Sequence, residues 1–538
     1  MTLPSELIEL IISFVEEESF LPCLLINSCI CKIIRDSPLL NYRWTLFRAR
    51  MRDNPLVRLP LFKKMNRLLS TEKAWLSCDP EFETSTEMPF NIECEHYVSD
   101  GVLFVLDEHA EDGEGCICYI ELPAGPDDAV PEWKRMRGTE DIDNLAIGLC
   151  IAEHDLVVLV DREKEDESQP GYDVVISLVQ YSTGDAHPLA QESKIVAVSG
   201  RTSGAPTIDV EISGDHMVLV MATADHRAEE PDDLVLIYDW RKGILKATIV
   251  GAYHQYMNVV FLTETLILLP MLHIHSLAIY RIPSEACRDR ISPIVLLQLP
   301  LLSNNDEAYY RSISTKSRPN FFAAQPRAHG GVPAVPLQNP SLPRAEDAIC
   351  AFEITIAYFE DEMGDLEPSC FTMIVHRRSF VELAEVFDEY LSFDPIFDRT
   401  KPRPILWEHW GPPISRWLQS SAEINWLASR SSVSKCSGQR YVRKMEKEDG
   451  NTGFPYVVLD FNLNNMNNGI SARDKSAEWD DVPLIRYHIN TSITRIGPHD
   501  LFKGPVQGSL PYTAGISSHS CHSDNILLDS EHVLGLYV

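Results

Sequence analysis

A short pattern that ends in glycine and recurs at constant spacing is the feature that most constrains the fold of this chain. Gly125, Gly184 and Gly243 close the segments "IELPAG", "VQYSTG" and "YDWRKG", at two equal intervals of 59 residues (125 to 184 and 184 to 243). An apolar or aromatic residue stands five and three positions before each glycine, and period-two alternation places both side chains on one strand face. The glycine can then adopt the left-handed turn that starts the next strand. "YRIPSE", ending at Glu285, and "VHRRSF", around Arg377, look like degenerate copies.

Pairs of short apolar segments surround these patterns after about residue 90. "GVLFVLD" pairs with "CICYIELP", "DLVVLVD" with "DVVISLVQY", "HMVLVMA" with "DLVLIYDW", and "TLILLP" with "SLAIYRI". Segments rich in Val, Ile, Leu and Tyr with turn residues between them indicate antiparallel strands. Repeats of four short strands are typical of a β-propeller. We therefore predict an antiparallel β-propeller of about seven blades, with a pair of β-sandwiches as the structural alternative.

The N-terminal residues have a helical rhythm instead. Apolar residues recur there at steps of three and four, which predicts an amphipathic helix: Leu7, Ile8, Ile11, Ile12 and Val15. Three more short helices are expected before residue 50, and another from about Leu61 to Leu76. The predicted fold class is therefore an α and all-β multidomain chain.

The change of rhythm sets the domain boundaries. Residues 1–55 form the helical module, 56–90 a helical linker and 91–538 the propeller-like domain. Within that domain, residues 303–347 are dense in Pro, Gly and Ala. A segment of this composition buries little apolar surface, so we expect a flexible insertion between blades.

The charge balance restricts the classes of partner. Lys plus Arg number 47 against 79 Asp plus Glu, a formal net charge of −32. A chain this acidic repels nucleic acid and anionic membranes, and neither is expected as a partner. The 13 cysteines include no C-x-x-C pair and show no disulfide rhythm. They suit reduced thiols in the cytoplasm or the nucleus.

Catalytic motifs are not evident in the sequence. It contains no G-x-S-x-G elbow, no Walker P-loop and no H-E-x-x-H segment. His519, Cys521 and His522 match no familiar zinc spacing. We expect no catalytic residue, no cofactor and no metal, and therefore no enzyme. An enzyme that builds its site from scattered residues of a propeller stays open as an alternative.

The first fifty residues resemble the F-box. The resemblance lies in Leu3-Pro4, in the order of apolar positions through Ile34, and in "DSPLL" from Asp36. The segments "RDSPLLNYRWTLFRARMRDNP", "LVLIYDWRKG", "IVHRRSF" and "HWGPPISRWL" are also similar to F-box proteins of mushroom-forming fungi that carry an irregular propeller. Two departures are Ile30, where the family usually has an aromatic residue, and Pro22 in the second helix.

The resemblance implies a function. F-box proteins are the substrate-recognition subunits of SCF-type (cullin-RING) ubiquitin ligases, so it implies an adaptor partner, a cullin reached through the adaptor, and an unknown protein substrate. The adaptor-binding residues implied are Leu3, Pro4, Leu7, Ile8, Ile11, Phe14, Leu21, Leu24, Ile30 and Ile34. A small helical module with more apolar side chains than its own core can bury supports an interface there. The alternative is an F-box-derived scaffold that recruits no ligase.

Substrate contacts are expected on the propeller, since loops around a central channel usually carry recognition residues. Arg and aromatic residues dominate binding hot spots. The candidates are Arg377, Arg378, Trp410, Arg416, Arg440 and Tyr441. The other interpretation is that the tryptophans are core residues and the arginines pair with nearby carboxylates.

Overall fold

The computed structural model describes residues 3–88, 95–107, 116–128, 130–137, 144–163, 171–201, 206–222, 233–252, 254–287, 290–303, 308–322, 339–358, 368–393, 404–420, 435–444, 454–465, 487–496, 501–521 and 525–536. Structural statements below refer to these residues. Among them, no helix has the length and apolar character that a membrane crossing requires.

The N-terminal part is helical. Its elements are α1 Ser5–Ser13, a 3₁₀ turn Glu17–Ser19, α2 Phe20–Ile26, α3 Ser28–Asp36, α4 Pro38–Ala49, strand β1 Met51–Asp53 and α5 Leu61–Ser77. The side chain of Asn27 caps α3 and that of Ser37 caps α4, because each accepts a free backbone N–H of the first turn. Arg50 and Cys78 adopt the left-handed conformation and end α4 and α5. These helices lie where the apolar rhythm predicted them, whereas their assignment to an F-box stays a prediction.

Four antiparallel sheets follow, each with four strands in chain order. Sheet I contains β2 Glu95–Ser99, β3 Val102–Asp107, β4 Cys116–Glu121 and β5 Lys134–Arg135. Sheet II contains β6 Asn144–Cys150, β7 Leu156–Glu163, β8 Tyr172–Gln180 and β9 Lys194–Arg201, with the one-turn helix α6 Ile151–His154 after β6. Sheet III contains β10 Thr207–Ser213, β11 His216–Ala222, β12 Leu234–Asp239 and β13 Ile244–Val250. Sheet IV contains β14 Val260–Thr263, β15 Leu266–Met271, β16 Ser276–Arg281 and β17 Val295–Gln298.

The C-terminal half of the β region is less regular. Sheet V contains β18 Ala308–Lys316, β20 Ile349–Tyr358, β21 Ser369–His376 and β22 Ser415–Ser420, with helices α7 Arg377–Phe393 and α8 Trp407–Ile414 between β21 and β22. Strand β19 Ser341–Pro343, which precedes the 3₁₀ turn Ala345–Asp347, pairs with β1. Sheet VI has the order β23 Cys436–Ser437, β24 Arg440–Lys444, β25 Phe454–Asp460, β29 Tyr512–Cys521 and β26 Tyr487–Asn490. Two hairpins complete the region, β27 Thr494–Ile496 with β28 Val506–Gly508, and β30 Asn525–Leu528 with β31 Val533–Leu536.

The recurring glycine pattern marks the third strand of successive sheets. Strands β4, β8 and β12 precede Gly125, Gly184 and Gly243, and β16 and β21 end beside the two degenerate copies. Gly184 has φ +77° and Gly243 has φ +66°, so the predicted left-handed turn is confirmed at these two positions. At Gly125 the prediction is wrong, because its φ lies outside the left-handed region. The four predicted strand pairs are also confirmed, as the second and third strands of sheets I to IV.

Apolar clusters join the sheets in a cyclic order. Sheet I packs on II, II on III, III on IV, IV on V and V on VI, each pair through a continuous cluster of buried side chains. Sheet VI then packs on the β30–β31 hairpin, and the hairpin packs on sheet I. Face-to-face packing of such sheets in a ring is typical of the predicted propeller. The described chain therefore has six sheets of four or five strands, with a two-stranded hairpin at the seventh place.

Helix α5 lies at the seam where the ring closes. Trp75 and Cys78 pack against the apolar cluster between sheet VI and the hairpin. The Cys78 thiol donates to the carbonyl oxygen of Gly515 in sheet VI at 3.1 Å. Arg67 donates to the carbonyl oxygen of Ala124, which follows the third strand of sheet I, at 3.3 Å. One helix thus contacts sheet VI, the hairpin and sheet I, and covers the side of a hairpin that lacks outer strands.

The expectation of a flexible insertion over residues 303–347 is wrong for part of that range. Strand β18 lies inside it and pairs with β20 at every residue except Arg311. Tyr310, Ile313 and Thr315 are buried. A register shift between Tyr310 and Ser312 changes which residues face the core, from even-numbered before the shift to odd-numbered after it. Composition hid this strand because the bulge interrupts its alternation. Residues 323–338, which hold most of the Pro and Gly, lie outside the described residues.

Candidate functional site

Helix α1 has two apolar faces. One face packs into the small core of the helical module, where Ile12, Phe20, Ile34 and Leu40 are fully or almost fully buried. The other face of α1 and part of α2 are open to solvent. The exposed residues, called the N-terminal apolar surface below, are Leu3, Leu7, Leu10, Ile11, Phe14, Leu21, Leu25 and Ile26. Phe14 is 81% exposed and Leu25 is 77% exposed, which is unusual for large apolar side chains.

The ten residues implied as adaptor-binding fall into three groups. Leu3, Pro4, Leu7, Ile11, Phe14 and Leu21 are exposed. Ile8, Leu24 and Ile30 are partly buried and pack against the core of the module. Ile34 has no exposed surface, so the expectation that it contacts a partner is corrected: it supports the module from inside. Sequence reasoning missed Leu10, Leu25 and Ile26, although helical spacing from Leu7 and Leu21 was a sufficient signal for Leu10 and Leu25.

The helical module is attached to the ring by charged and backbone contacts. Glu17 pairs with Arg344, and Glu18 pairs with Arg378 at the start of α7. Strand β1 pairs with β19, which lies after β18 in the chain. The side chains of Asn462 and Asn464 both donate to the carbonyl oxygen of Arg48. These contacts fix the position of the N-terminal apolar surface relative to the sheets.

The residues predicted to bind a substrate are mostly structural, and this is a correction. Arg377 is fully buried and donates to the carbonyl oxygens of Pro319 and Ala345 and to the side chains of Ser317 and Asn320. These four hydrogen-bond partners are uncharged, the Phe322 ring lies 5.0 Å from the guanidinium carbon, and the Glu211 charge adds a favourable interaction.

Arg416 has the same character. It is fully buried and donates to the carbonyl oxygens of Leu510 and Ser492 and to the hydroxyl of Thr494. Trp410 donates its indole N–H to the carbonyl oxygen of Gln298 and lies in the core between sheets IV and V.

Three candidates remain. Tyr441 is buried between sheets V and VI, and Arg440 is paired with Glu72 of α5. Only Arg378 keeps a side chain that is 42% exposed, and it pairs with Glu18. The six predicted residues therefore do not form one surface. The prediction failed because the burial of an arginine depends on distant carbonyl oxygens, which the local sequence does not reveal.

A cavity of about 170 Å³ lies at one end of the ring. Turns between the first and second strands of sheets I and II and of the hairpin converge on it, and the β1–β19 ribbon contributes Arg52 and Leu342 to its wall. Ionisable residues of the wall are Arg52, Asp100, Glu121, Glu153, Arg318, Asp529, Glu531 and His532. We call it the channel-mouth cavity. No sequence motif predicted this cavity, since the residues of its wall are spread along the chain from Arg52 to His532.

Carboxylates outnumber cations in this wall. Arg318 is neutralised by Glu211, with an Nη1–Oε2 distance of 3.0 Å. Burial raises the pKa of Asp100, and the neighbouring Asp529 charge adds to the rise. Burial also raises the pKa of Glu531. A cationic guest would relieve this accumulation of buried negative charge, so the cavity favours basic groups.

One grouping of three potential metal ligands occurs in the described part of the chain, formed by Cys150, Glu153 and His154. Burial raises the pKa of the Cys150 thiol well above its usual value, and the nearby Glu153 charge adds to this. His154 Nε2 lies 2.9 Å from the carbonyl oxygen of Gly214, so that nitrogen carries a proton and is a donor. Glu153 accepts from the Gly214 N–H at 3.2 Å. These contacts connect sheets II and III, and a metal would have to displace them.

Comparisons with known proteins add little. No protein-family model matches the chain, and no curated protein sequence matches it. Among solved structures, the chain is similar to a protein from Lactobacillus plantarum (10% identity, 52% of this chain and 75% of that chain, TM-score 0.25). It is also similar to the C-terminal WD40 domain of Sif2 (7% identity, 54% and 84%, TM-score 0.22). A third similar structure is Hsv2p from Kluyveromyces lactis (9% identity, 52% and 92%, TM-score 0.16). Since these TM-scores are low, the description of the fold rests on the sheets and their packing.

Proposed function

We propose that this chain is a protein-interaction subunit with two binding regions, and specifically the substrate-recognition subunit of an SCF-type (cullin-RING) ubiquitin ligase. In this proposal the N-terminal apolar surface binds the adaptor and the ring of sheets is a β-propeller that binds a target protein. The chain itself performs no covalent chemistry, because ubiquitin transfer belongs to other subunits. Such a complex works in the cytoplasm or the nucleus.

The N-terminal apolar surface is the observation that carries the proposal. The helical module buries Ile12, Phe20, Ile34 and Leu40, yet it leaves eight large apolar side chains exposed on α1, α2 and the residues before and between them. Each such side chain gains roughly 1.5–3 kcal/mol when it is fully buried. A partner that covers several of them therefore gains enough free energy for a stable complex.

The attachment of the module to the ring supports the two-region proposal. The β1–β19 ribbon and the Glu17–Arg344 and Glu18–Arg378 pairs bind the helices on the same end of the ring as the channel-mouth cavity. A ligase subunit has to hold its target at a fixed position relative to the adaptor. An attachment through several contacts provides that, whereas a flexible linker would not.

The channel-mouth cavity is the better candidate for a target contact than the six residues chosen from the sequence. Its wall is formed by turns of several sheets and is rich in carboxylates. We propose that it receives a Lys or Arg side chain of the target, since opposite charge steers and orients association. A cavity of about 170 Å³ has room for one side chain and not for a folded segment.

The decisive experiment is co-purification of the full chain with a recombinant SCF adaptor subunit. Wild type should retain the adaptor, and Leu7→Asp combined with Ile11→Asp should lose it. A matched control is Phe62→Asp combined with Leu69→Asp, since these residues are also exposed but lie on α5. The control should bind like wild type.

Other outcomes separate the alternatives. Binding that survives the Leu7 and Ile11 changes would contradict the assigned surface. If wild type binds no adaptor but forms stable complexes with other proteins through the ring of sheets, the chain is an F-box-derived scaffold. An enzyme would turn over a small molecule, and substitutions in the channel-mouth cavity would abolish that turnover.

A further inference from the structure

His532 joins the β30–β31 hairpin to sheet I. Its Nε2 lies 2.9 Å from the carbonyl oxygen of Pro123, and its Nδ1 lies 3.4 Å from Oδ2 of Asp529. The same Asp529 oxygen accepts the backbone N–H of Gly101 at 2.9 Å. Pro123 and Gly101 both belong to turns of sheet I, and Asp529 and His532 form the turn of the hairpin. Two side chains thus bridge the seam where the ring closes.

Both ring nitrogens of His532 face acceptors. A carbonyl oxygen cannot donate a hydrogen bond, and an ionised carboxylate cannot either. Neutral imidazole has only one N–H, so it can satisfy one of the two contacts. The geometry around His532 is therefore complete only when the ring carries both protons and a positive charge.

We propose that His532 is a proton-operated latch that holds the hairpin against sheet I in the wall of the channel-mouth cavity. When the ring loses its proton, one of the two bridging contacts is lost and the hairpin loosens from sheet I. The cavity wall includes Asp100, Asp529 and His532, so the state of the latch alters the cavity. The proposal concerns the seam and does not depend on the identity of the target or the adaptor.

The charges around the ring favour the protonated state. Asp529 and Glu531 on its own turn act on the ring directly. Asp100, Glu121 and Arg318 share the cavity wall with it, and Arg67 of α5 interacts with Glu531. Burial alone lowers the pKa of His532, but the hydrogen bond and charge of Asp529, the Pro123 carbonyl and the Glu531 charge outweigh it and raise the pKa above 6.5. The pKa of Asp529 is lowered, because its contact with His532 more than offsets burial.

The sign of the pH effect follows from this rise. A histidine whose folded-state pKa is raised stabilises the fold fully below its unfolded pKa of about 6.5. That contribution decreases as pH rises through the folded-state pKa. The latch is therefore closed in mildly acidic solution and opens towards alkaline pH. Burial lowers the pKa of several other histidines, among them His96 and His376, so their contribution to stability is lost as pH falls. The pH effect of His532 must therefore be measured as the difference between wild type and a His532 variant.

His532→Gln in the full chain is the test, because glutamine keeps a donor for Pro123 but carries no charge. His409→Gln is the matched control, since His409 is exposed and lies far along the chain on α8. Hydrogen–deuterium exchange of the hairpin peptides, corrected for intrinsic exchange, would be compared at about pH 6 and about pH 8. In wild type and in His409→Gln, protection of the hairpin should fall several-fold between the two values. In His532→Gln it should be low at both.

A second measurement decides the matter even where the variant folds poorly. The imidazole C–H resonances of His532 in labelled wild type should report a pKa above 6.5 by NMR, with the resonances assigned from their through-space contacts in the wild-type spectra. Titration at or below 6.5 would overturn the proposal. Equal pH dependence of hairpin protection in wild type and His532→Gln would overturn it as well.

Discussion

Arg440 of sheet VI and Glu72 of helix α5 form a salt bridge across the seam, with an Nη2–Oε1 distance of 2.8 Å and only 12% of each side chain exposed. The two residues are 368 positions apart in the sequence. Arg440 also lies 3.6 Å from Asp460 and stacks on the Trp75 ring. The pair therefore connects the helical part of the chain to the last large sheet.

Replacement of Arg440 by Met should destabilise the protein. Glu72, whose pKa is already raised by burial, and Asp460 would lose their cation in a largely buried place. Breaking a buried pair typically costs about 3 kcal/mol. Denaturant unfolding followed by circular dichroism would measure the loss. Arg443→Met on the same strand is the control and should change the free energy of unfolding by less than about 0.5 kcal/mol.

Ile34→Ala should reduce stability, whereas Ile11→Ala should reduce adaptor binding. Ile34 is fully buried in the module core, so its truncation leaves a cavity and costs about 3 kcal/mol of local stability. Ile11 is 54% exposed, so its truncation should leave stability nearly unchanged and weaken adaptor binding. Thermal unfolding and a binding titration on both variants would test this. Equal loss of binding without loss of stability at Ile34 would contradict the assignment of the two faces.

Arg377→Ala should act on stability rather than on recognition. It removes the donor for four acceptors in a fully buried place, and the expected loss is about 3 kcal/mol or more. Arg378→Ala, next in the chain and 42% exposed, is the natural comparison and should lose less than about 1 kcal/mol. Chemical denaturation of the two variants side by side is sufficient. A stable, fully folded Arg377→Ala protein would show that the network is dispensable.

Gly148→Ala should strain the contact between sheets II and III. An added Cβ would lie 2.6 Å from Cγ1 of Val210, on the first strand of the next sheet. Overpacking of this kind typically costs about 1–3 kcal/mol. Gly125→Ala is a good control, because a Cβ there meets no atom within 4 Å. Differential scanning calorimetry should show a lower melting temperature for Gly148→Ala alone.

Local pattern predicted the sheets better than it predicted the site. The residues before Gly125, Gly184 and Gly243 alternate in a way that depends only on neighbours in the chain, so the third strands could be found from the sequence. Helix α7 was missed because the strand-like "VHRRSF" leads into it, although Phe380 and Ala384 have helical spacing and are buried.

The burial of Arg377 and Arg416 could not be predicted in the same way. Their acceptors come from residues up to 94 positions away, so their surroundings exist only after folding. The same reason explains why the channel-mouth cavity had no signal in the sequence. His532 looks like an ordinary loop histidine until Pro123 is brought beside it by closure of the ring.

The seam also sets an order of events during synthesis. Helix α5 ends at Ser77, and the hairpin that it helps to cover begins at Asn525. At a translation rate of about 5–20 residues per second, the helix waits roughly 20–90 s for the hairpin to leave the ribosome. For most of that time the apolar face of sheet I that meets the hairpin lacks its partner, since sheet I ends at Arg135, whereas sheet VI is completed only at Cys521. A nascent chain of this protein should therefore depend on chaperones until its last strands emerge.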